Sequence, residues 1–123
     1  MKKLLLDTNF LLMPFESKLD LFGGIEQLVP EPHSFFTTKS VKLELERFAS
    51  QKNKKAVAAK SALASILPKL TLLEDSGFAD DSLFSLAKKE KFIVCTNDEA
   101  LRSRLRAEKI PTIILRNHKL ALL

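Results

Sequence analysis

The 123-residue chain contains no tryptophan, no tyrosine, one cysteine and only three glycines. A single cysteine cannot form a disulfide within the chain, and Cys95 lies in an apolar run where we expect a free thiol that packs as a small hydrophobe. Phenylalanine is the only aromatic residue type, and we expect most of the nine copies to fill the core. Because Trp and Tyr are absent, phenylalanine is the residue type left for stacking against the base of a ligand.

Long hydrophobic runs are also missing. No segment approaches the roughly 18 consecutive apolar residues of a membrane-spanning helix. The first residues resemble the start of a signal peptide, but the apolar run Leu4–Leu6 before Asp7 is too short for the hydrophobic region of such a signal. We therefore expect a soluble, cytoplasmic protein with no membrane partner, and a free thiol suits that reducing compartment.

The length suits one domain, since a chain of this size can bury roughly two thirds of its unfolded surface. We find no linker, internal repeat or low-complexity tract. The sequence therefore predicts a single domain over residues 1–123 that needs neither a disulfide nor a structural metal.

Short apolar runs alternate with segments of helical periodicity. Continuous apolar runs of this kind are typical of strands buried on both faces. The alternation predicts the α/β class, as a three-layer α/β/α sandwich around a mainly parallel sheet of about five strands with right-handed crossovers. The predicted strands are Lys3–Leu6, Ser34–Thr37, Leu70–Leu73, Phe92–Thr96 and Thr112–Leu115. The predicted helices are Thr8–Phe15, Leu19–Leu28, Lys39–Ala49, Lys52–Leu67, Ala79–Glu90 and Asp98–Glu108. The tail Asn117–Leu123 is left unassigned.

Two of the predicted strands are followed by an aspartate. Asp7 comes directly after Leu4–Leu6, and Asp98 follows the strand Phe92–Thr96. Functional sites of open α/β sheets lie beyond the carboxyl ends of the strands, so these two carboxylates can share one end of the sheet. Each aspartate also stands where it can cap the following helix, and that interpretation stays open.

A glutamate falls on an apolar helix stripe. Val41, Leu45 and Phe48 repeat at helical spacing, and Glu44 lies within their stripe, whereas Glu46 points elsewhere. A buried carboxylate is costly unless it is paired or bound to a metal. A basic partner, or a position at the exposed edge of the stripe, remains an alternative.

A second helix presents the same problem. Stepping back one turn from Leu83 and Phe84 reaches Asp80, whereas Asp81 points sideways and is favourable near a helix N-terminus. Helical phase therefore selects Asp80 as the inward carboxylate, with simple helix capping as the alternative.

Positive charge is unevenly distributed in a chain of net charge +5. No acidic residue occurs between Arg47 and Leu73, and a second basic cluster follows Asp98. Solvated helix faces are one explanation; together with an acidic cluster, however, basic flanks favour a polyanionic ligand. The candidate phosphate-binding residues are Arg47, Lys52, Lys54, Lys55, Arg102, Arg104 and Arg106.

The acidic motifs, in their order, resemble those of the PIN domain family, the metal-dependent ribonuclease fold related to flap endonucleases. The matching segments are Leu4–Asn9, Val41–Leu45, Ala79–Leu83 and Thr96–Asp98. The resemblance implies Asp7, Glu44, Asp80 and Asp98 as catalytic metal ligands, with Asn9 and Thr96 as supporting groups. Asp81 joins the supporting groups, because neighbouring residues at a helix start can both reach a metal through water.

The resemblance implies an endoribonuclease that cleaves single-stranded RNA with metal-activated water. Mg²⁺ or Mn²⁺ suits an all-oxygen site. The segments Ala79–Leu83 and Ile114–His118 look most like the ribosomal-RNA-processing branch of archaea and eukaryotes. The partner is then single-stranded or structured RNA; a homodimer and a protein partner stay open.

Three other functions compete with this hypothesis. The first is a VapC-type toxin ribonuclease held silent by an antitoxin, and the second is a catalytically idle RNA-binding scaffold that keeps the acidic pocket. The third, a receiver-like phosphoacceptor, expects adjacent acids after the first strand, whereas Asp7 stands alone.

Overall fold

The computed structural model describes residues 1–123, which form six strands and six α-helices. The strands are β1 (Lys2–Leu6), β2 (His33–Thr38), β3 (Thr71–Leu73), β4 (Ile93–Cys95), β5 (Thr112–Arg116) and β6 (Lys119–Leu122). The helices are α1 (Thr8–Glu16), α2 (Leu21–Leu28), α3 (Lys39–Ala49), α4 (Lys54–Ser65), α5 (Ala79–Lys89) and α6 (Glu99–Ala107), with a 3₁₀ turn at Leu67–Lys69.

The strand order is β3-β2-β1-β4-β5-β6, and every pair except β5–β6 is parallel. The chain leaves β1 toward β2 on one side and returns to β4 on the other, so the order reverses between β1 and β4. Leu6 and Cys95 are register partners, and the Asp7 amide donates to the Cys95 carbonyl at 3.2 Å. The residues that follow β1 and β4 therefore leave the sheet side by side at its switch point, where α/β sheets place their sites.

Helices cover both faces of this sheet. α1 packs with α3 and α4, whereas α5 packs with α6, and right-handed crossovers place these two groups on opposite faces. The three leucines of β1, Leu4–Leu6, are fully buried at the centre of a 25-residue hydrophobic cluster. The predicted α/β/α sandwich with a mainly parallel sheet is confirmed.

The sheet has six strands, against the prediction of about five, because the unassigned tail supplies one more. β6 runs antiparallel to β5, with Arg116 opposite Lys119 and Ile113 opposite Leu122. The intervening Asn117 and His118 both have positive φ values, 52° and 63°. Two such residues form the type I′ turn that matches strand twist. The hairpin was not predicted from the sequence, because its second turn residue is histidine and not the glycine that typically follows asparagine in such turns.

The predicted helix Lys52–Leu67 is shorter in the structure. The Asn53 side chain caps α4 by accepting a hydrogen bond from the Ala56 amide at 2.9 Å, so Lys52 lies before the helix.

α4 is the longest helix, with 12 residues. No helix of the fold is long and apolar enough to cross a membrane.

Candidate metal centre

Asp7 is buried where β1 ends and α1 begins, with 4% of its surface exposed. Its Oδ1 accepts a hydrogen bond from the Phe10 amide at 2.8 Å and so caps α1. Its Oδ2 accepts a hydrogen bond from the Thr96 hydroxyl. The capping role left open by the sequence is therefore present, but each carboxylate oxygen keeps a second lone pair for another ligand.

Asp98 repeats this arrangement at the end of β4. Its Oδ1 accepts from the Leu101 amide at 2.8 Å and caps α6, which leaves Oδ2 for another partner. The Asp98 amide donates to Thr96 Oγ1 at 3.1 Å. The fully buried Thr96 hydroxyl thus bridges the two aspartates and holds them at the switch point.

Asp80 lies in the first turn of α5, where it does not serve as a cap. The helix begins after Phe78 without any side-chain cap. Asp80 is exposed, so its side chain is less inward than helical phase predicted. Partial burial raises its pKa above the usual value, and the charges of Asp98 and Glu44 raise it further. Asp80 therefore faces the other predicted ligands.

Asp81 faces a different neighbour. Its Oδ1 lies 2.8 Å from the Arg104 Nη1 atom in an ion pair between exposed side chains. Neither of the two adjacent aspartates is buried. They differ in their neighbours: Asp80 is influenced by the charges of Asp98 and Glu44, and Asp81 pairs with Arg104.

Glu44 lies at the edge of the stripe on α3. Val41 and Leu45 are fully buried, the Glu44 side chain is 32% exposed, and Glu46 is exposed. Glu44 Oε2 lies 3.8 Å from the Arg47 guanidinium, a long and solvent-screened pair. Glu44 therefore has both a basic partner, Arg47, and a position at the edge of the apolar stripe, the two alternatives to metal binding. Its carboxylate stays accessible to a further ligand.

The two residues that follow Asp7 lie in different environments. Asn9 is exposed on α1 and makes no hydrogen bond to the four carboxylates. Thr8, which belongs to the motif Leu4–Asn9 but was not predicted as a site residue, has a buried Oγ1 without a hydrogen-bond partner. A buried hydroxyl without a partner is uncommon in folded proteins. No sequence pattern distinguishes Thr8, because its burial depends on the packing of α1.

Comparison with known proteins places this geometry in a family. The model of the family described as "PIN like domain" matches residues 4–118. This chain belongs to the PIN-like domain family. The resemblance drawn from the acidic motifs is confirmed.

Individual relatives support this assignment. "Ribonuclease VapC4" of Methanocaldococcus jannaschii is 32% identical over 123 residues, which cover 97% of this PIN-like chain and 94% of the relative. "rRNA-processing protein FCF1" of Saccharomyces cerevisiae is 32% identical over 114 residues; these are 92% of this chain but only 58% of that protein. The solved "PIN domain endonuclease Utp24" superposes with a TM-score of 0.80 at 26% identity, covering 98% of this chain and 90% of that one.

Burial and mutual repulsion dominate the electrostatics of this PIN-like site. Burial raises the pKa of Asp7 from 3.8 to about 7, although the hydrogen bonds from Thr96 and the Phe10 amide lower it. The charges of Asp80 and Asp98 raise it further. Asp7, Asp80 and Asp98 therefore form a cluster of interacting negative charge, to which Glu44 is linked through Asp80.

The donors of this cluster fit a hard divalent cation. They are all carboxylate oxygens, the ligands that Mg²⁺ and Mn²⁺ prefer. In this conformation no three acidic, histidine or cysteine side chains are close enough together to ligate one ion. Glu44 and Asp80 are not buried, so neighbouring side chains leave them free to adopt other rotamers.

The second basic cluster divides into two groups in the PIN-like fold. Arg104 pairs with Asp81 and lies 4.2 Å from the Phe84 ring centroid. Arg102 and Arg106 instead line a groove of about 520 Å³ that contains no acidic residue. We call it the basic groove; its lining residues are Arg102, Arg106, Lys109, Ile110, Pro111, Thr112, Arg116 and Leu123.

The first basic cluster begins beside the carboxylates. The Arg47 guanidinium and the Lys55 ammonium lie 5.7 Å and 4.3 Å from the centroid of the same Phe48 ring. Lys52 and Lys54 are exposed and form no ion pair. Arg47 and Lys55 thus extend a line of positive charge away from Glu44.

Proposed function

We propose that this PIN-like domain is a metal-dependent endoribonuclease that cleaves phosphodiester bonds of single-stranded RNA. The cluster of four carboxylates at the switch point of the sheet carries the proposal. Relatives named as ribonucleases, and a solved neighbour named as an endonuclease, support it. The yeast relative named for rRNA processing makes ribosomal RNA precursors the first substrates to test.

In this proposal Asp7 and Asp98 are the principal ligands of Mg²⁺ or Mn²⁺. When bound, the ion lowers the pKa of a coordinated water and offsets charge that develops at the scissile phosphate. Glu44 and Asp80 complete the ligand set, directly or through water. The Thr96 hydroxyl orients both aspartates, the kind of support on which metal ligands depend. Asn9 and Asp81 remain candidates for hydrogen bonds to water around the ion.

The central experiment separates an enzyme from an idle scaffold. We expect the purified protein to cleave an end-labelled single-stranded RNA with Mg²⁺ or Mn²⁺ and not with EDTA. Mn²⁺ should also raise the unfolding temperature, because a ligand that binds only the folded state stabilises it. An Asp98→Asn variant, purified in the same way, controls for contaminating ribonuclease.

Two outcomes would reject the enzymatic hypothesis. Undiminished cleavage in EDTA would remove the metal from the reaction. RNA binding without cleavage under any divalent cation would favour the scaffold. The toxin alternative predicts the same cleavage together with inhibition by a cognate antitoxin, and the near-complete alignment with VapC4 keeps it under test.

The basic groove is the proposed track for RNA phosphates. None of its four cations forms an ion pair within the protein. Changing Arg102 and Arg106 together to Gln should weaken RNA binding and flatten its salt dependence. The log–log slope should fall by about 1.4, because each neutralised phosphate of a single strand contributes about 0.7. Turnover at saturating RNA should change little, because such contacts bind the ground and transition states alike.

A charge-matched control locates the effect. Lys60 and Lys69 lie outside the basic groove, and changing both to Gln removes the same net charge. An equal change of slope in both double variants would indicate a general charge effect and exclude the groove as the track.

The exposed Lys52 and Lys54, with Lys55, form a second candidate track. The same salt titration of RNA binding, carried out on a variant with all three changed to Ala, tests it.

A further inference from the structure

Phe78 is the one phenylalanine that the fold leaves almost wholly in solvent. It is 82% exposed, whereas the next most exposed phenylalanine, Phe15, is 38% exposed. Single exposed apolar residues are common on protein surfaces. The surroundings of Phe78 set it apart, because it directly precedes the helix that carries Asp80.

The side chain of Phe78 does not cap its helix, although the Phe78 carbonyl accepts a hydrogen bond from the Ser82 amide. It occupies the N-cap position of α5 without a side-chain hydrogen bond. The other five α-helices are capped by side chains of the preferred types, Asp7, Asp20, Thr38, Asn53 and Asp98. Neither core packing nor capping therefore accounts for a phenylalanine at position 78.

The segment that carries Phe78 is fixed against α3. The Ser40 amide donates to Asp75 Oδ1 at 2.9 Å, and the Ser40 hydroxyl donates to the Gly77 carbonyl at 3.3 Å. Gly77 takes a positive φ of 87°, which glycine adopts without strain. Hydrogen bonds to α3 therefore hold the turn that carries the exposed Phe78 ring.

Phe78 and Glu44 line the same groove. This groove encloses about 260 Å³, enough for one nucleobase, and Leu43 on its wall is 63% exposed. Arg47 supplies positive charge next to Glu44. An apolar wall, an aromatic ring and a guanidinium thus surround a space that opens onto a predicted metal ligand.

We propose that Phe78, with Leu43 on the wall of the same groove, forms a stacking subsite for the base next to the scissile phosphate. This inference rests on the proposed function. Every nucleobase has a π-face, so the subsite accepts any base but requires that a base be present and unpaired. It thereby makes the enzyme selective for single strands and positions one phosphate over the carboxylates, with Arg47 beside it.

The test uses Asp7→Asn protein, so that the RNA probe stays intact. Short single-stranded RNAs carry 2-aminopurine at successive positions, and stacking quenches its fluorescence; the chain has no Trp or Tyr to interfere. One position should be quenched on binding. Adding Phe78→Ala should remove that quenching and weaken binding by about 5- to 150-fold, the equivalent of one base stack. Phe78→Tyr should retain both, and Phe15→Ala should change neither.

An abasic nucleotide at the quenched position completes the cycle. It should weaken binding to the parent protein, which carries Asp7→Asn alone. It should have no further effect on the protein that also carries Phe78→Ala. Unchanged quenching and affinity in Phe78→Ala would overturn the stacking subsite, as would full retention by Phe78→Leu, which keeps apolar bulk without a π-face. Failure of the parent protein to bind any RNA would reject the proposed function as well.

Discussion

Asp7→Asn should abolish metal-dependent RNA cleavage while making the metal-free protein more stable. The substitution removes a charge from the ligand at the centre of the cluster. Cleavage should fall by more than about 100-fold. Mutation of residues that only support the metal ligands can already cost about 100-fold, and Asp7 is predicted to be a ligand itself. Helix α1 should persist, because asparagine caps as well as aspartate and Phe10 keeps its acceptor.

The gain in stability should depend on pH. Because the pKa of Asp7 is raised from 3.8 to about 7 in the folded state, folding favours the protonated acid. The associated stability is fully present below pH 4 and is lost as the pH rises from about 4 to about 7. Over that window the wild type should lose up to about 4 kcal/mol, the free-energy equivalent of the shift. The Asn variant lacks this titration, so its advantage should grow toward neutral pH.

Urea unfolding in EDTA at pH 5 and pH 8 measures this difference. Adding Mn²⁺ at pH 8 should then stabilise the wild type and leave the variant nearly unchanged, because metal binding requires the deprotonated ligand. Glu46→Gln serves as the control for loss of an exposed acid and should resemble the wild type in every assay. Mg²⁺-dependent cleavage at the wild-type rate by Asp7→Asn would show that the site is wrongly placed.

Glu44→Gln should lose activity, whereas Glu46→Gln should keep it. The two residues are two positions apart on α3, but only Glu44 adds to the charge at Asp80 and lines the groove below Phe78. Removing its charge should weaken metal binding and reduce cleavage by about 10- to 100-fold. A manganese titration of both variants, read as cleavage rate, makes the comparison. Equal losses in the pair would mean that α3 presents a different face to the ion.

The start of α5 offers a second pair with less contrast. Asp80→Asn should reduce activity, because Asp80 faces Asp98 and Glu44. Asp81→Asn should reduce it less, because Asp81 mainly holds the exposed Arg104. A larger loss from Asp81→Asn would move the metal toward Arg104 and contradict the proposed ligand set.

The sequence alone determined the fold class and the order of the acidic motifs. Buried runs such as Leu4–Leu6 and the apolar stripe around Glu44 depend on the side-chain period of a strand or helix. That period is a local property, since it is set by residues a few positions apart. For the same reason, local pattern is sufficient to place Asp7 and Asp98 just after the ends of β1 and β4.

Contacts between distant parts of the chain were decided only by the tertiary structure. Thr96 is 89 residues from Asp7, and their hydrogen bond exists because β1 and β4 are neighbours in the sheet. Strand β6 forms only because β5 offers its free edge. The split of the arginines on α6 likewise follows from what packs beside that helix, with Asp81 on one side and the basic groove on the other.

Exposure at the site also depended on tertiary packing. Helical phase indicated an inward Asp80, but no element packs over this side chain, so it stays exposed. Phe78 stays in solvent for the same reason, although its residue type favours burial. A pattern along the chain shows which residues share a face; whether another element covers that face depends on strand order and helix placement, which arise only when the whole chain packs.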